Sequence, residues 1–237
     1  MTDIYSKSNV LKLLKKIDLH EYKIIHSKVV ANLAVNIAKN ITKLGYPICT
    51  QSVEAGALLH DIGVTKTFDD ASPNHSVIGA QIARENGYCD KVVRCIESHE
   101  YIIWTKEEGK LFDMDMMRES FCPESWEEKI VSYADIVVFV YSEAAREKDY
   151  WEDPNCLQKA AFPYWSEVFK KYSLGKFEEN HLFMQRLHEQ QKNMLKYVKP
   201  DFFKNPEYIK LAEQMKKAQI DFGLKVPFDY EENLYKK

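Results

Sequence analysis

Six residues able to do chemistry stand where apolar side chains would be expected: His26, His60, Asp61, His75, His99 and Asp135. His60-Asp61 closes the run Val53-Glu54-Ala55-Gly56-Ala57-Leu58-Leu59 and is followed by Ile62-Gly63. Asp135 lies inside Tyr133-Ala134-Asp135-Ile136-Val137-Val138-Phe139-Val140, among the most apolar stretches of the chain. A buried carboxylate without a partner is costly, so such groups are paired, protonated or bound to metal. Each residue alone has a plainer reading, the histidines as hydrogen-bonded core residues and the aspartates as caps or salt-bridge partners. Taken together, that reading needs six buried polar groups, each satisfied separately. Imidazoles and carboxylates converging between helices are how bundle proteins build metal sites. Nitrogen and oxygen donors of this kind suit Fe, Mn, Zn, Co or Ni rather than soft copper or oxygen-bound calcium. The residues therefore predict a metal site.

The elements that must position these groups read as helix almost throughout. From Tyr22 to Leu44 the positions Ile25, Val29, Val30, Leu33, Ile37 and Ile41 keep helical spacing. His26 shares their face, and Gly45 stands where a C-terminal glycine cap belongs, with Pro47 beyond. A second helix is expected from Ser52 to His60, stopping at Gly63. A polar loop follows over Thr65 to Pro73, then a helix from Asn74 to Asn86-Gly87 that carries His75. Asp90 to Glu100 is a further helix, with His99 completing the stripe Val92, Cys95, Ile96. Tyr101 to Pro123 shows no clear period and reads as a partly ordered insertion, a candidate lid. Ser125-Trp126-Glu127-Glu128 gives a capping-box spacing ahead of Ile130 to Tyr141.

Residues 148–237 are rich in aromatics and lack a comparable run of ligand-type residues. Helices are expected at Pro163–Tyr172, Phe177–Tyr197 and Pro206–Phe222. The fold class is all-α: a helical domain over 1–147 and a helical C-terminal extension over 148–237 packed on it. The aromatic extension reads as core and as dimer or lid surface, so a homodimer is among the expected partners. His181 and His188 read as residues of a helix surface, and His20 as a neighbour of the cap of the first core helix.

The formal net charge of −3 implies no general attraction to nucleic acid or anionic membrane. No apolar run approaches the roughly 18 residues a membrane span needs. The first residues, Met1-Thr2-Asp3-Ile4-Tyr5-Ser6, lack the layout of a signal peptide. Cys49, Cys89, Cys95, Cys122 and Cys156 are odd in number, scattered and without a CxxC pair. They read as free thiols in a reducing cytoplasm.

The order His26 … His60-Asp61 … His75 … His99 … Asp135 resembles the HD-domain superfamily of metal-dependent phosphohydrolases, whose minimal pattern is H…HD…D. The resemblance covers roughly residues 20 to 145. It is carried by His-Ser-x-x-Val-Ala at 26–31, Ala-Leu-Leu-His-Asp-Ile-Gly at 57–63, His-Ser-x-x-Gly-Ala at 75–80 and Tyr-Ala-Asp at 133–135. The chain is most similar to the small stand-alone HDIG proteins. The resemblance implies that His26, His60, Asp61 and Asp135 hold one divalent metal. It implies further that His75 and His99 hold a second ion, with Asp61 bridging; His75 could instead touch substrate or support a ligand.

The function so implied is hydrolysis of a phosphoester or phosphoanhydride of a nucleotide or related small molecule. Two cations clamp the attacking and leaving oxygens, and metal coordination lowers the pKa of water from 15.7 to about 7, supplying hydroxide as nucleophile. The expected ions are Fe, Mn, Zn, Co or Ni, with Mg allowed. Asp61 is expected to act in catalysis by bridging the ions and orienting the hydroxide. Lys66, six residues after His60, is the nearest cationic candidate for the phosphate, with Arg84, Arg94 and Arg146 behind it. Many signalling members of the superfamily carry lysine directly after the His-Asp-Ile-Gly motif, where this chain has Val64. The GYP signature of cyclic-dinucleotide phosphodiesterases and the Glu-Asp pair of alarmone hydrolases are also absent. Two other readings share the ligand set. One is a di-iron oxygenase of the same fold acting on a small polyol or phosphonate; the other is a degenerate nucleotide-binding module that regulates a partner.

Overall fold

Helix α2 (Glu21–Thr42) is the spine of the molecule in the computed structural model, which describes residues 3–64, 74–100, 104–141 and 181–221, with 166, 169–171 and 173 between them. Its buried face runs from Tyr22 and His26 through Val29, Val30, Leu33 and Ile37 to Ile41, as the helical period of the sequence requires. Each fully buried Val, Leu or Ile of that stripe contributes roughly 1.5–3 kcal/mol. His20 is the N-cap itself, its side chain accepting from the Tyr22 amide over 3.3 Å. At the other end Gly45 adopts φ of 92°, the left-handed turn expected of it.

Around α2 stand α1 (Lys7–Lys16), α3 (Thr50–Leu59), α4 (Asn74–Glu85), α5 (Asp90–Glu97) and the short α6 (Lys106–Lys110). They are followed by α7 (Trp126–Tyr141), α8 (Leu182–Met194) and α9 (Pro206–Asp221), with 3-10 turns at Leu195–Tyr197 and Pro200–Lys204. Among the described residues there is no strand, only an isolated antiparallel bridge between Thr105 and Ser120. The fold is all-α. α2 packs on α3, α7 and α9; α3 packs on α5 and α7; α4 lies along α5. The sequence reading did not include α1, whose signal is only Val10 and Leu14 one turn apart, both fully buried.

The segment after residue 103, expected as a partly ordered insertion, carries local order of its own. Thr105 caps α6 in a reciprocal capping box with Glu108. Phe112, Met114, Met116 and Phe121 bury their side chains although they follow no helical period. Buried Arg94 of α5 clamps this segment. It donates to the Ser120 and Cys122 carbonyls, each at 3.0 Å, and to Glu128 Oε2 at 2.8 Å. Arg186 of α8 lies 4.3 Å over the Trp104 ring and pairs with Glu108.

The C-terminal elements dock through named contacts. Tyr133 of α7 donates to Gln191 Oε1 at 2.6 Å, and Asn40 of α2 donates to the Tyr197 carbonyl at 2.9 Å. Phe202, Phe203 and Tyr208 form an aromatic cluster in which Phe203 meets both other rings edge-on. His181 is the N-cap of α8, accepting from the Phe183 amide over 3.2 Å. The expected helix at Phe177–Tyr197 thus begins at Leu182 among the described residues, and most of Pro163–Tyr172 lies outside them. No helix among the described residues is long and apolar enough to cross a membrane.

Candidate metal centre

Three helices and two helix ends bring the six residues together. His26 sits in the second turn of α2, His75 is the second residue of α4, and Asp135 lies in the middle of α7. His60 is the C-cap of α3, and His99 lies just past Ser98, the C-cap of α5. The sequence reading ran both helices one turn or less too far at these points, and the difference matters chemically. A helix end leaves its last carbonyls without intrahelical partners. His60 Nδ1 donates to the Ala57 carbonyl at 2.8 Å, and His99 Nδ1 donates to the Ile96 carbonyl at 2.7 Å. A carbonyl can only accept, so the proton of each neutral ring lies on Nδ1 and Nε2 presents a lone pair. The same device is used twice, three residues back each time.

The Nε2 atoms face one another. His26 and His60 approach to 3.2 Å, and His75 and His99 to 3.0 Å. Asp135 Oδ1 lies 3.0 Å from His26 Nε2 and 3.3 Å from His60 Nε2. Asp61 divides its two oxygens between the pairs. Oδ2 lies 3.2 Å from His60 Nε2 and 3.6 Å from His26 Nε2, whereas Oδ1 lies 3.4 Å from His75 Nε2. Ligands about 2.1 Å from one ion stand about 3.0 Å apart across an octahedral edge and about 3.4 Å across a tetrahedral one. The donor spacings fall on those edges, so His26, His60 and Asp61 could hold one ion and Asp61, His75 and His99 another.

The electrostatics agree with the geometry. Burial pushes the His99 imidazole down to about 3, helped by the neighbouring His75 and His60, so it is a neutral donor at physiological pH. Burial would also lower His60, but the Asp61 and Asp135 carboxylates outweigh it and hold that ring well above its usual value. Both aspartates are in turn held well below the ordinary carboxylate range: burial opposes this, and His60 leads the groups that overcome it. A proton on His60 thus meets part of a demand for positive charge that a divalent cation would meet fully.

Two further side chains complete the centre. Lys23, three residues before His26 and so on the same helical face, places Nζ 2.8 Å from Asp61 Oδ2. Sequence reasoning missed it, although the i, i+3 spacing to a candidate ligand was the available signal. Glu100 places Oε1 3.0 Å from His75 Nε2; its place in the sequence next to His99 fits a group that tunes or ligates a metal as well as an exposed helix end. Burial, with Asp135 and Asp61 adding to it against the opposing pull of His75, raises Glu100 to about 7. His60 is fully buried, whereas the side chains of Lys23, Glu100 and Asp135 keep 12%, 11% and 20% of their surface. The centre therefore opens on the Lys23, Glu100 and Asp135 side. Lys66 lies outside the described residues.

Gly63 sets the distance between the two halves. A Cβ at this position would lie 2.0 Å from the His75 carbonyl oxygen and 2.6 Å from the Gly79 amide nitrogen. Only a residue without a side chain lets the turn after His60-Asp61 press against the start of α4. That approach brings His75 within reach of Asp61.

Comparison with known proteins places this centre within a shared sequence pattern. The sequence profile described as HD domain matches residues 24–139, which contain all six donors, Glu100 and Gly63. An uncharacterised protein of Methanocaldococcus jannaschii is 34% identical over 129 residues, 54% of this chain and 73% of that protein. A tRNA (cytidine(56)-2'-O)-methyltransferase of Thermoplasma volcanium is 38% identical over 132 residues, 56% of this chain but 36% of the methyltransferase. The chain thus spans little more than a third of that relative's length. Among solved structures, the HD domain of L. monocytogenes phosphodiesterase PgpH in complex with cyclic-di-AMP is 21% identical with a TM-score of 0.42. That similarity covers 78% of this chain and 95% of the PgpH one.

Proposed function

We propose that this chain, which belongs to the HD-domain family, is a metal-dependent phosphohydrolase that cleaves a phosphoester or phosphoanhydride of a nucleotide or related small molecule at a two-ion centre. The observation that carries this reading is the division of Asp61, with Oδ2 turned to His26 and His60 and Oδ1 turned to His75. A carboxylate shared in this way is the expected bridge between two cations. In this reading His26, His60, Asp61 and Asp135 hold one ion, and Asp61, His75 and His99 the other. The donors suit Mn, Fe, Zn, Co or Ni. When bound, two such ions supply Lewis-acid polarisation of the phosphoryl oxygens and a nucleophile derived from water.

The chain's own residues do the rest. Asp61 fixes the spacing of the two halves and, through Lys23, is itself held in place. The Lys23 ammonium stands at the open side of the centre, where an arriving phosphate would meet it. A charge-assisted contact of this kind also orients the substrate. The backbone-anchored rings of His60 and His99 hold their donor atoms fixed, which limits reorganisation during reaction. The partly open edge at Asp135 and Glu100 admits substrate, while the fully buried His60 closes the floor against water.

The test is a panel of nucleotides, dinucleoside polyphosphates and cyclic nucleotides offered to the Mn²⁺-loaded protein, with product followed by chromatography. We expect turnover of at least one class, and none from Asp61→Ala, whose helical circular dichroism persists while its metal content collapses. An Asp61→Ala protein that kept full metal and turnover would overturn the assignment.

A further inference from the structure

We propose that Glu100 is a fourth protein ligand of the ion held by Asp61, His75 and His99, an inference that rests on the two-ion reading above. Its Oε1 lies 3.0 Å from His75 Nε2 and 3.9 Å from His99 Nε2. His75 Nε2 is itself 3.0 Å from His99 Nε2 and 3.4 Å from Asp61 Oδ1. His75 Nε2 thus has three donor atoms from three other residues around it, each at a separation of the kind that a single ion would impose, about 3.0–3.4 Å.

The atom that Glu100 meets decides between ligation and mere support. A carboxylate that orients a metal-bound histidine contacts the ring nitrogen turned away from the ion. For His60 and His99 that outward position is taken by the Ala57 and Ile96 carbonyls. Glu100 does the opposite. It approaches His75 at Nε2, the same nitrogen that faces Asp61 and His99, and so lies inside the donor ring rather than behind it. Three carboxylates, Asp61, Asp135 and Glu100, then gather around the centre, with the Lys23 ammonium against them. Buried charges of one sign are tolerated only with compensating charge. Ligation by Glu100 gives each ion two imidazoles and two carboxylates, with Asp61 common to both.

From sequence, position 100 admits both a group that tunes or ligates a metal and an exposed helix end, because a glutamate at the end of an amphipathic helix has a solvated surface as its default. The helix ends at Glu97, and the turn through Ser98 swings residues 99 and 100 inward together. Ser132 Oγ holds that turn from α7 by donating to the His99 carbonyl at 3.1 Å.

The experiment is Mn²⁺ titration of metal-stripped protein by calorimetry, with elemental analysis and the electron paramagnetic resonance signature of spin-coupled Mn²⁺ pairs. Wild type, Glu100→Gln and Glu100→His are compared. We expect two ions and a coupled signal in wild type. Glu100→Gln, which keeps the shape and removes the charged donor, should bind the second ion at least about tenfold more weakly and lose the coupled signal. Glu100→His, which restores a donor atom, should recover both. A Glu100→Gln protein with two ions at wild-type affinity, or a Glu100→His protein without recovery, overturns the role of Glu100 alone. A single ion in wild type overturns the two-ion reading itself and the Glu100 assignment with it.

Discussion

Lys23 Nζ donates to Asp61 Oδ2 across 2.8 Å, joining an ammonium at the open side of the centre to the carboxylate that, among the described residues, faces both histidine pairs. If Lys23 guides phosphate rather than holding the fold, Lys23→Met should keep metal and thermal stability. Its kcat/KM should fall roughly 10- to 100-fold, the value of a hydrogen bond to a charged group. Loss of metal in Lys23→Met, with the catalytic constants of the remaining loaded fraction unchanged, would assign Lys23 to Asp61 alone.

Gly63 works through backbone contact. A methyl group there would overlap the His75 carbonyl oxygen at 2.0 Å, and neither backbone can yield without moving α4. Overpacking of this kind costs about 1–3 kcal/mol, so Gly63→Ala should lower Tm by roughly 2–12 °C. The second ion should weaken more than the first, because His75 moves and His26 does not. Calorimetry of unfolding and Mn²⁺ titration check the two parts separately.

Acid should compete with metal. Asp61 and Asp135 hold His60 well above its usual value, so the metal-free protein keeps a proton on that ring to higher pH than an ordinary histidine would. Because the folded value exceeds the unfolded one, the stability this proton provides is fully present below about pH 6.5 and is lost as pH rises through the folded value. A metal ion must displace the proton, so its apparent affinity rises with pH. The rise in Tm on adding Mn²⁺ should therefore be larger at about pH 8 than at about pH 6. Equal shifts at both would mean that His60 is not a ligand.

Arg94 holds the segment after residue 103 to α5, with Ser120, Cys122 and Glu128 as partners. Arg94→Ala leaves the buried Glu128 carboxylate without that guanidinium, at a cost of about 3–5 kcal/mol. Urea denaturation should show this loss. Arg94→Met should be no better, since the two carbonyls lose their donor in either variant.

The helices that carry His26, His75 and Asp135 were legible because buried apolar side chains recur at the helical period around each of them. The convergence of the six donors could be argued from residue type alone, since no plainer reading satisfied them all. What escaped lies at helix ends. Periodicity does not mark where a helix stops, so His60 and His99 were drawn onto helices. The Nδ1 bonds that fix their donor atoms exist only because those helices end. Lys23 was hidden, and Glu100 left with two readings, for a related reason. Both are charged residues that solvent normally claims, and only the tertiary approach of α2, α4 and the end of α5 encloses them. In the segment after residue 103, burial follows from the Arg94 and Arg186 anchors rather than from any local pattern.

The central claim is hydrolysis at phosphorus, and isotope labelling tests it most directly. Turnover of the best substrate of the panel is run with Mn²⁺ under nitrogen in ¹⁸O-labelled water, and the phosphate product is read by mass spectrometry. The account predicts full turnover without oxygen, with one labelled oxygen entering the phosphoryl product at each cleavage. Turnover that requires iron and consumes oxygen, with no label in the phosphate, would contradict it.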